Sequence, residues 1–230
     1  MYNRKDLLGL RDLSADEIMT ILNTAKEMKA KIDNPSLRDD SLSKSSIVTL
    51  FYENSTRTKM SFMLAGDYQG AIVKDLGVAT SSVSKGESLV DTGVTLDQMG
   101  INIMIIRHQM TGAAHLLAKN VKASVVNAGD GSNEHPTQAL LDLFTIMEKK
   151  GSFEGLKVVI LGDISHSRVA RSNAFGLTKL GAKVTLAGPS TLVSNSMKSL
   201  GVEVETDIPK AIKDADVVMG LRIQFERQKN

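Results

Sequence analysis

Short apolar runs alternate along this chain with longer stretches in which apolar residues recur every three or four positions. Ser14-Ala15-Asp16-Glu17 reads as a capping box, in which the serine satisfies a free helix amide and the glutamate reaches back from three residues on. Behind it Ile18, Ile21, Leu22, Ala25 and Met28 keep helical spacing, and residues 34–45 form a polar loop. Strands are then expected at 47–52, 71–76, 101–107, 123–128, 156–162, 182–187 and 216–221. Helices are expected near 56–68, 87–99, 113–119, 137–149, 167–180, 192–200 and 208–213. Alternation of this kind, with near-continuous apolar strands, predicts an α/β fold of two domains, each a parallel sheet flanked by helices. The polar, glycine-bearing stretch 148–155 is the linker candidate, dividing a first domain (1–148) from a second (149–230). No internal repeat or low-complexity tract is seen.

Composition narrows the function classes. The 230 residues are 42% hydrophobic and 23% charged, ordinary for a chain that buries a core. A formal net charge of +2 points to neither a nucleic-acid groove nor a membrane patch. The absence of cysteine excludes disulfides, cysteine–zinc sites and a thiol nucleophile, and fits a reducing cytosol. Met1-Tyr2-Asn3-Arg4-Lys5-Asp6 lacks the apolar stretch of a secretory signal, and no apolar run approaches the roughly 20 residues of a membrane helix. A soluble, cytoplasmic protein is expected.

Open α/β sheets bind ligands beyond the carboxyl ends of their strands, and the polar signals cluster there. The strand at 47–52 runs into Glu53-Asn54-Ser55-Thr56-Arg57-Thr58 and then a helix. Such a junction gathers free amides and the positive end of the helix dipole, which favours an anion. Hydroxyls and a guanidinium beside it suit phosphate. A lone serine–threonine pair at a helix start would be an ordinary cap; four such groups in succession favour a site. Lys85 lies in the serine- and glycine-bearing loop 81–86, where an isolated lysine would simply be solvated. His135 sits in a loop before a helix, whereas His108, His115 and His166 read as structural. In the second domain, Gly162-Asp163 ends a strand without the Gly-x-Gly-x-x-Gly of a nicotinamide site. Arg168 and Arg222 follow strands there, and paired guanidinia match a substrate with two carboxylates.

The string Phe51-Tyr52-Glu53-Asn54-Ser55-Thr56-Arg57-Thr58 closely resembles the phosphate-binding signature of the aspartate and ornithine carbamoyltransferases. Further matches follow in order: Ser81 to Ser88 with the family's mobile loop, Arg107-His108, Gly129 to Gln138, Leu161-Gly162-Asp163 through Arg168, and Leu221-Arg222-Ile223-Gln224. The resemblance implies transfer of the carbamoyl group of carbamoyl phosphate to the amine of L-aspartate, without cofactor or metal. It gives Ser55, Thr56, Arg57, Thr58 and Arg107 the phosphate, with Arg107 reaching the carbonyl as well. His135 and Gln138 take the carbamoyl end, and Lys85, Arg168, Arg222 and Gln224 take aspartate. Arg57, Thr58, Lys85, Arg107 and His135 are the catalytic set. Ser81 and Lys85 would enter a neighbouring subunit's site, implying a homotrimer; whether a regulatory chain associates leaves no local motif. Ornithine is the alternative acceptor, but its cationic side chain would not suit paired arginines. Gln109 and Met63 stand where the family commonly has proline and an acidic residue. Members also continue beyond Asn230, so the second domain is expected to be incomplete, with apolar faces uncovered. A chain that binds carbamoyl phosphate without turnover is therefore a further alternative.

Overall fold

The computed structural model describes residues 3–78 and 82–223. An opening helix, α1 (Ala15–Asp33), is followed by β1 (Ser46–Phe51), α2 (Thr56–Asp67), β2 (Ile72–Leu76), α3 (Leu89–Gln98), β3 (Ile103–His108), α4 (Ala113–Asn120) and β4 (Ser124–Asp130). Then come α5 (Pro136–Lys150), β5 (Lys157–Leu161), α6 (Arg168–Lys179), β6 (Lys183–Ala187), β7 (Glu203–Glu205), α7 (Ile208–Ile212) and β8 (Val217–Gly220). The capping box forms as expected: the Ser14 amide donates to Glu17 Oε2 (2.8 Å) and the Glu17 amide to Ser14 Oγ (3.2 Å). Ile18 and Leu22 on its apolar stripe are fully buried.

Every strand pair is parallel, in two four-stranded sheets ordered β2-β1-β3-β4 and β7-β6-β5-β8. Two elements depart from the sequence expectation. Strand β7 carries Glu203, Val204 and Glu205 and among the described residues pairs only with β6, so its charged side chains suit an edge and hid it from an apolar-run search. The stretch at 192–200 is a 3-10 turn over Asn195–Leu200, not an α-helix. Ser194 accepts the Ser196 amide and Ser199 donates to the Ser196 carbonyl, local bonds that compete with a helix ladder.

Two compact units emerge: Met1–Leu8 with Asn23–Gly131, and Gly9–Leu22 with Ser132–Asn230. In the first, Val48, Leu50, Met104, Ile106, Leu117 and Val125 form one core cluster, and Ile47, Phe51, Ile105 and Ala128 another. This is the alternation of strands buried on both faces. In the second, Val158, Ile160, Leu177 and Leu186 are buried, each such side chain contributing about 1.5–3 kcal/mol. Helix α5 groups with α6 by packing: a Cβ added at Gly176 would lie 2.8 Å from Leu143 Cδ1 and 3.0 Å from Leu10 Cδ1. The packing division thus falls earlier in the chain than the polar, glycine-bearing linker candidate at 148–155. On the edge strand β8, Val218 is 50% exposed, and Ile223 just beyond it 43%. No helix among the described residues is long and apolar enough to cross a membrane.

Candidate active site

In the first unit the strand order runs from β1 to β2 on one side and to β3 and β4 on the other, so its switch point lies between β1 and β3. Phe51 is in register with Arg107, and the Tyr52 amide donates to the Arg107 carbonyl at 2.9 Å. The segment 53–58 and the Arg107 side chain therefore leave from adjacent strand ends. Ser55 is the N-cap of α2 in extended conformation (φ −161°, ψ 100°), yet its side chain makes no capping bond, and the first turn carries no acid. By contrast Ser88, Ser167, Ser194 and Asp207 each accept an amide at their own helix starts. Helix α2 keeps its first-turn amides and dipole available to an anion. Ser55 and Thr58 are half-buried there, Thr56 and Arg57 exposed.

Arg107 Nη2 lies 3.0 Å from Glu53 Oε1, with the two side chains 13% and 30% exposed. The guanidinium is thus held and balanced at the strand ends. His108 is structural, as its sequence setting suggests. Its Nδ1 accepts the Met110 amide at 2.9 Å and its ring lies 4.7 Å from that of Tyr52. Burial holds its imidazole below the ordinary value, against Asp130 and Glu53, which favours the neutral form, and the Met110 amide on Nδ1 favours the tautomer protonated at Nε2. Lys85 ends a 3-10 turn over Ser82–Lys85 and is exposed. Ser81 and Gln224 lie outside the described residues.

The second unit has its switch point between β5 and β8. The Leu221 amide donates to the Leu161 carbonyl at 2.8 Å. Gly162, at φ 127°, permits this approach, since a Cβ there would fall 2.5 Å from the Leu221 carbonyl oxygen. Arg222 follows directly and is exposed. Arg168 opens α6, capped by Ser167, and is only 4% exposed.

His135 is the N-cap of α5 (φ −138°, ψ 74°), with Pro136 at the first helical position, where its missing amide costs nothing. Its amide donates to Ser172 Oγ at 2.9 Å, and Nδ1 lies 3.4 Å from the Thr137 hydroxyl. Ser172 donates onward to Glu134 Oε2 (2.9 Å), a carboxylate that also takes the amides of Leu10 (2.7 Å) and Arg11 (3.3 Å). Burial pushes the Glu134 carboxyl up, against these donors. One turn along α5, Gln138 Nε2 donates to Asp142 Oδ1 at 3.0 Å, and Asn173 Nδ2 to Asp142 Oδ2 at 2.7 Å. Sequence reasoning missed Glu134, Asp142, Ser172 and Asn173. The available signal was two successive polar residues among the small residues Ala170, Ala174 and Gly176 on the buried face of α6. Among the described residues, no group of three or more His, Cys, Asp or Glu is placed to hold a metal ion.

The carbamoyl-phosphate-binding domain model of the aspartate/ornithine carbamoyltransferases matches residues 5–148. The chain belongs to this family. A carbamoyltransferase relative from Ruminiclostridium cellulolyticum, named aspartate carbamoyltransferase catalytic subunit, is 62% identical over 225 residues, covering 98% of this chain and 72% of the relative. One of the same name from Acetivibrio thermocellus is 63% identical over 226 residues, covering 98% and 72%. Among solved structures, Trypanosoma cruzi aspartate transcarbamoylase in complex with carbamoyl phosphate is similar at a TM-score of 0.89 and 30% identity, over 98% of this chain and 74% of that one. The same enzyme with aspartate and phosphate gives 0.89 and 30%, over 100% and 78%. Within this carbamoyltransferase chain, Ser55, Thr56, Arg57, Thr58 and Arg107 gather at one switch point. Arg168 and Arg222 border the other, and His135 and Gln138 share a turn of α5.

Proposed function

We infer that the chain transfers the carbamoyl group of carbamoyl phosphate to the amine of L-aspartate, giving N-carbamoyl-L-aspartate and phosphate. The observation that carries this reading is the uncapped start of α2 beside Arg57 and Arg107, in a chain whose relatives are aspartate carbamoyltransferases along nearly its whole length.

Ser55, Thr56, Arg57 and Thr58 hold the phosphate, where open helix amides and a planar guanidinium meet an anion. Thr58, Arg107 and His135 donate to the carbonyl oxygen, and Gln138, which donates to Asp142, contacts the carbamoyl end. Arg168, Arg222 and Gln224 grip the aspartate carboxylates, which excludes the cationic side chain of ornithine. The amine attacks the carbamoyl carbon, a C–N bond forms, the carbonyl oxygen gains charge, and the C–O bond to phosphate breaks. Arg57, Lys85 and the α2 terminus stabilise the departing phosphate, which accepts the amine proton. Positioning and charge stabilisation carry such a reaction.

The working form is a cytoplasmic homotrimer, with Ser81 and Lys85 lent to the neighbouring subunit's site. Residues 1–148 form the carbamoyl-phosphate domain, in keeping with the family match over 5–148, and 149–230 the aspartate domain. The test is ureido-product formation by the purified chain, given carbamoyl phosphate with either L-aspartate or L-ornithine. Product with aspartate alone is expected. Product with ornithine instead, or carbamoyl phosphate binding with no product from either amine, would overturn the reading.

A further inference from the structure

The first turn of α2 carries a second cation besides Arg57, and that cation is engaged away from the helix start. The Lys59 amide donates to the Ser55 carbonyl at 3.2 Å, so Lys59 stands one turn above the N-cap. Residues three and four apart share a helix face, and helical side chains lean back towards the helix start. A lysine at this position is therefore within reach of an anion held by Ser55 and Thr56. Its ammonium goes elsewhere. Nζ donates to Asp75 Oδ2 on β2 at 2.8 Å and lies 5.7 Å from the centre of the Phe51 ring. The other oxygen, Asp75 Oδ1, accepts the Thr49 hydroxyl at 2.6 Å. Thr49 is fully buried on β1, in register with Asp75, so it fixes the direction in which the carboxylate points. The helix dipole disfavours a cation in a first turn, and α2 has no acid there to offset Lys59. The balancing charge comes from another element. Burial pushes the Asp75 carboxyl up, but Lys59 and Thr49 outweigh it and hold it below its ordinary value, so the charge is present at neutral pH. The two side chains stay 29% and 30% exposed, open to competition from an anion in solution.

We propose that Asp75 holds Lys59 off the phosphate site and so sets how readily phosphate leaves after transfer. The inference rests on the reading that the start of α2 binds phosphate. On that reading the leaving group already meets Arg57, Arg107 and the open helix amides. One more cation would grip phosphate after the reaction as tightly as before it. Uniform binding of this kind deepens the bound states without speeding the chemical step. Asp75 keeps Lys59 neutralised, and the growing charge on phosphate is left to groups aimed at it. A clasp that only fixes α2 against β2 predicts the opposite, because breaking it from either side would loosen the site and weaken phosphate.

Inorganic phosphate is the probe, titrated by calorimetry into the full-length chain, Asp75→Asn, Lys59→Met and the double variant. Asparagine keeps the shape of the carboxylate and removes its charge, which frees the ammonium. Asp75→Asn should tighten phosphate by about three- to tenfold, the worth of one partly exposed charge pair. Lys59→Met should change it by less than about twofold, and the double variant should match Lys59→Met. In turnover, phosphate should become a correspondingly stronger inhibitor of Asp75→Asn against carbamoyl phosphate. Unchanged or weaker phosphate binding in Asp75→Asn, or tightening that survives in the double variant, would overturn the proposal. So would equal and opposite shifts in the two single variants, which a simple change in local field produces. If Asp75→Asn does not fold, Asp75→Ser carries the test on the same terms. A parent chain that binds phosphate without turnover defeats the transfer reading while the titrations still decide this one. A parent that binds no phosphate defeats both.

Discussion

Replacing Arg57 with alanine isolates the phosphate end of the reaction. The side chain is exposed on the first turn of α2, so its loss should change stability by no more than about 0.5 kcal/mol. The helix contribution, about 0.3–1 kcal/mol for an anion at an N-terminus, survives in the variant because Ser55 and the first-turn amides are untouched. What disappears is a charge-assisted pair worth on the order of 1.5–3 kcal/mol. A donor aimed at charge that grows in the transition state is worth more, about 2.7–4 kcal/mol, or about 10²–10³ in rate. The leaving phosphate gains charge as its bond to carbon breaks, so most of the loss should fall on kcat. Colorimetric ureido-product rates at saturating aspartate and varied carbamoyl phosphate, with thermal melts alongside, separate the possibilities. Arg57→Lys keeps the charge without the planar fork and should recover only part of the rate. A kcat within threefold of the parent, at an unchanged melting temperature, would remove Arg57 from the mechanism. A loss confined to KM would reduce it to a ground-state anchor.

Mixing an inactive Lys85→Ala chain with an inactive Arg57→Ala chain should restore some product formation, because a hybrid trimer holds an intact shared site; no recovery after proven subunit exchange argues against sharing. Burial pushes Asp75 up, but Lys59 and Thr49 outweigh it and hold the carboxyl below its ordinary 3.8. Its stabilising contribution is therefore present above 3.8 and lost as pH falls through the lower folded value, so Asp75→Asn should flatten the acid limb of stability in urea titrations. Glu134 has the opposite sign: its folded value is raised above 4.5, so acidification from neutral pH towards 4.5 favours the fold, and Glu134→Gln should abolish that gain. Gly93→Ala would place a Cβ 2.2 Å from Leu117 Cδ1 between α3 and α4, and should destabilise by about 1–3 kcal/mol in denaturant melts.

The fold was legible because the strands of the two sheets are apolar runs between helical periods, which is what burial on both faces requires. β7 escaped because an edge strand needs only one partner and tolerates glutamates at both ends. The switch-point residues were legible for a different reason: Ser55 to Thr58, Arg107, Arg168 and Arg222 are polar or charged groups at the carboxyl ends of apolar strands, where a local signal survives. Ser172 and Asn173 carry no such signal. They stand mid-helix, and their meaning depends on which helix packs against α6, a tertiary fact. The capping pattern at α5 was likewise unreadable, since His135 looks like any loop histidine until its amide is found on Ser172.

Local energetics also separate the site from the scaffold. A serine at an N-cap that accepts an amide is worth about 1 kcal/mol over alanine. Ser88 takes this gain, accepting the Asp91 amide at 3.1 Å and donating to its carboxylate at 2.7 Å. Ser55 occupies the same position on α2 with a different extended backbone (φ −161°, ψ 100°, against −74° and 159° at Ser88) and forgoes the bond. Departures from a local rule concentrate where function, and not helix stability, selects the residue. Ser88→Ala should thus lower unfolding free energy by about 1 kcal/mol, while Ser55→Ala should leave it nearly unchanged and weaken carbamoyl phosphate binding. Equal stability losses in the two variants would mean that Ser55 caps its helix after all, and the anion reading of the α2 terminus would then rest on Arg57 and Arg107 alone.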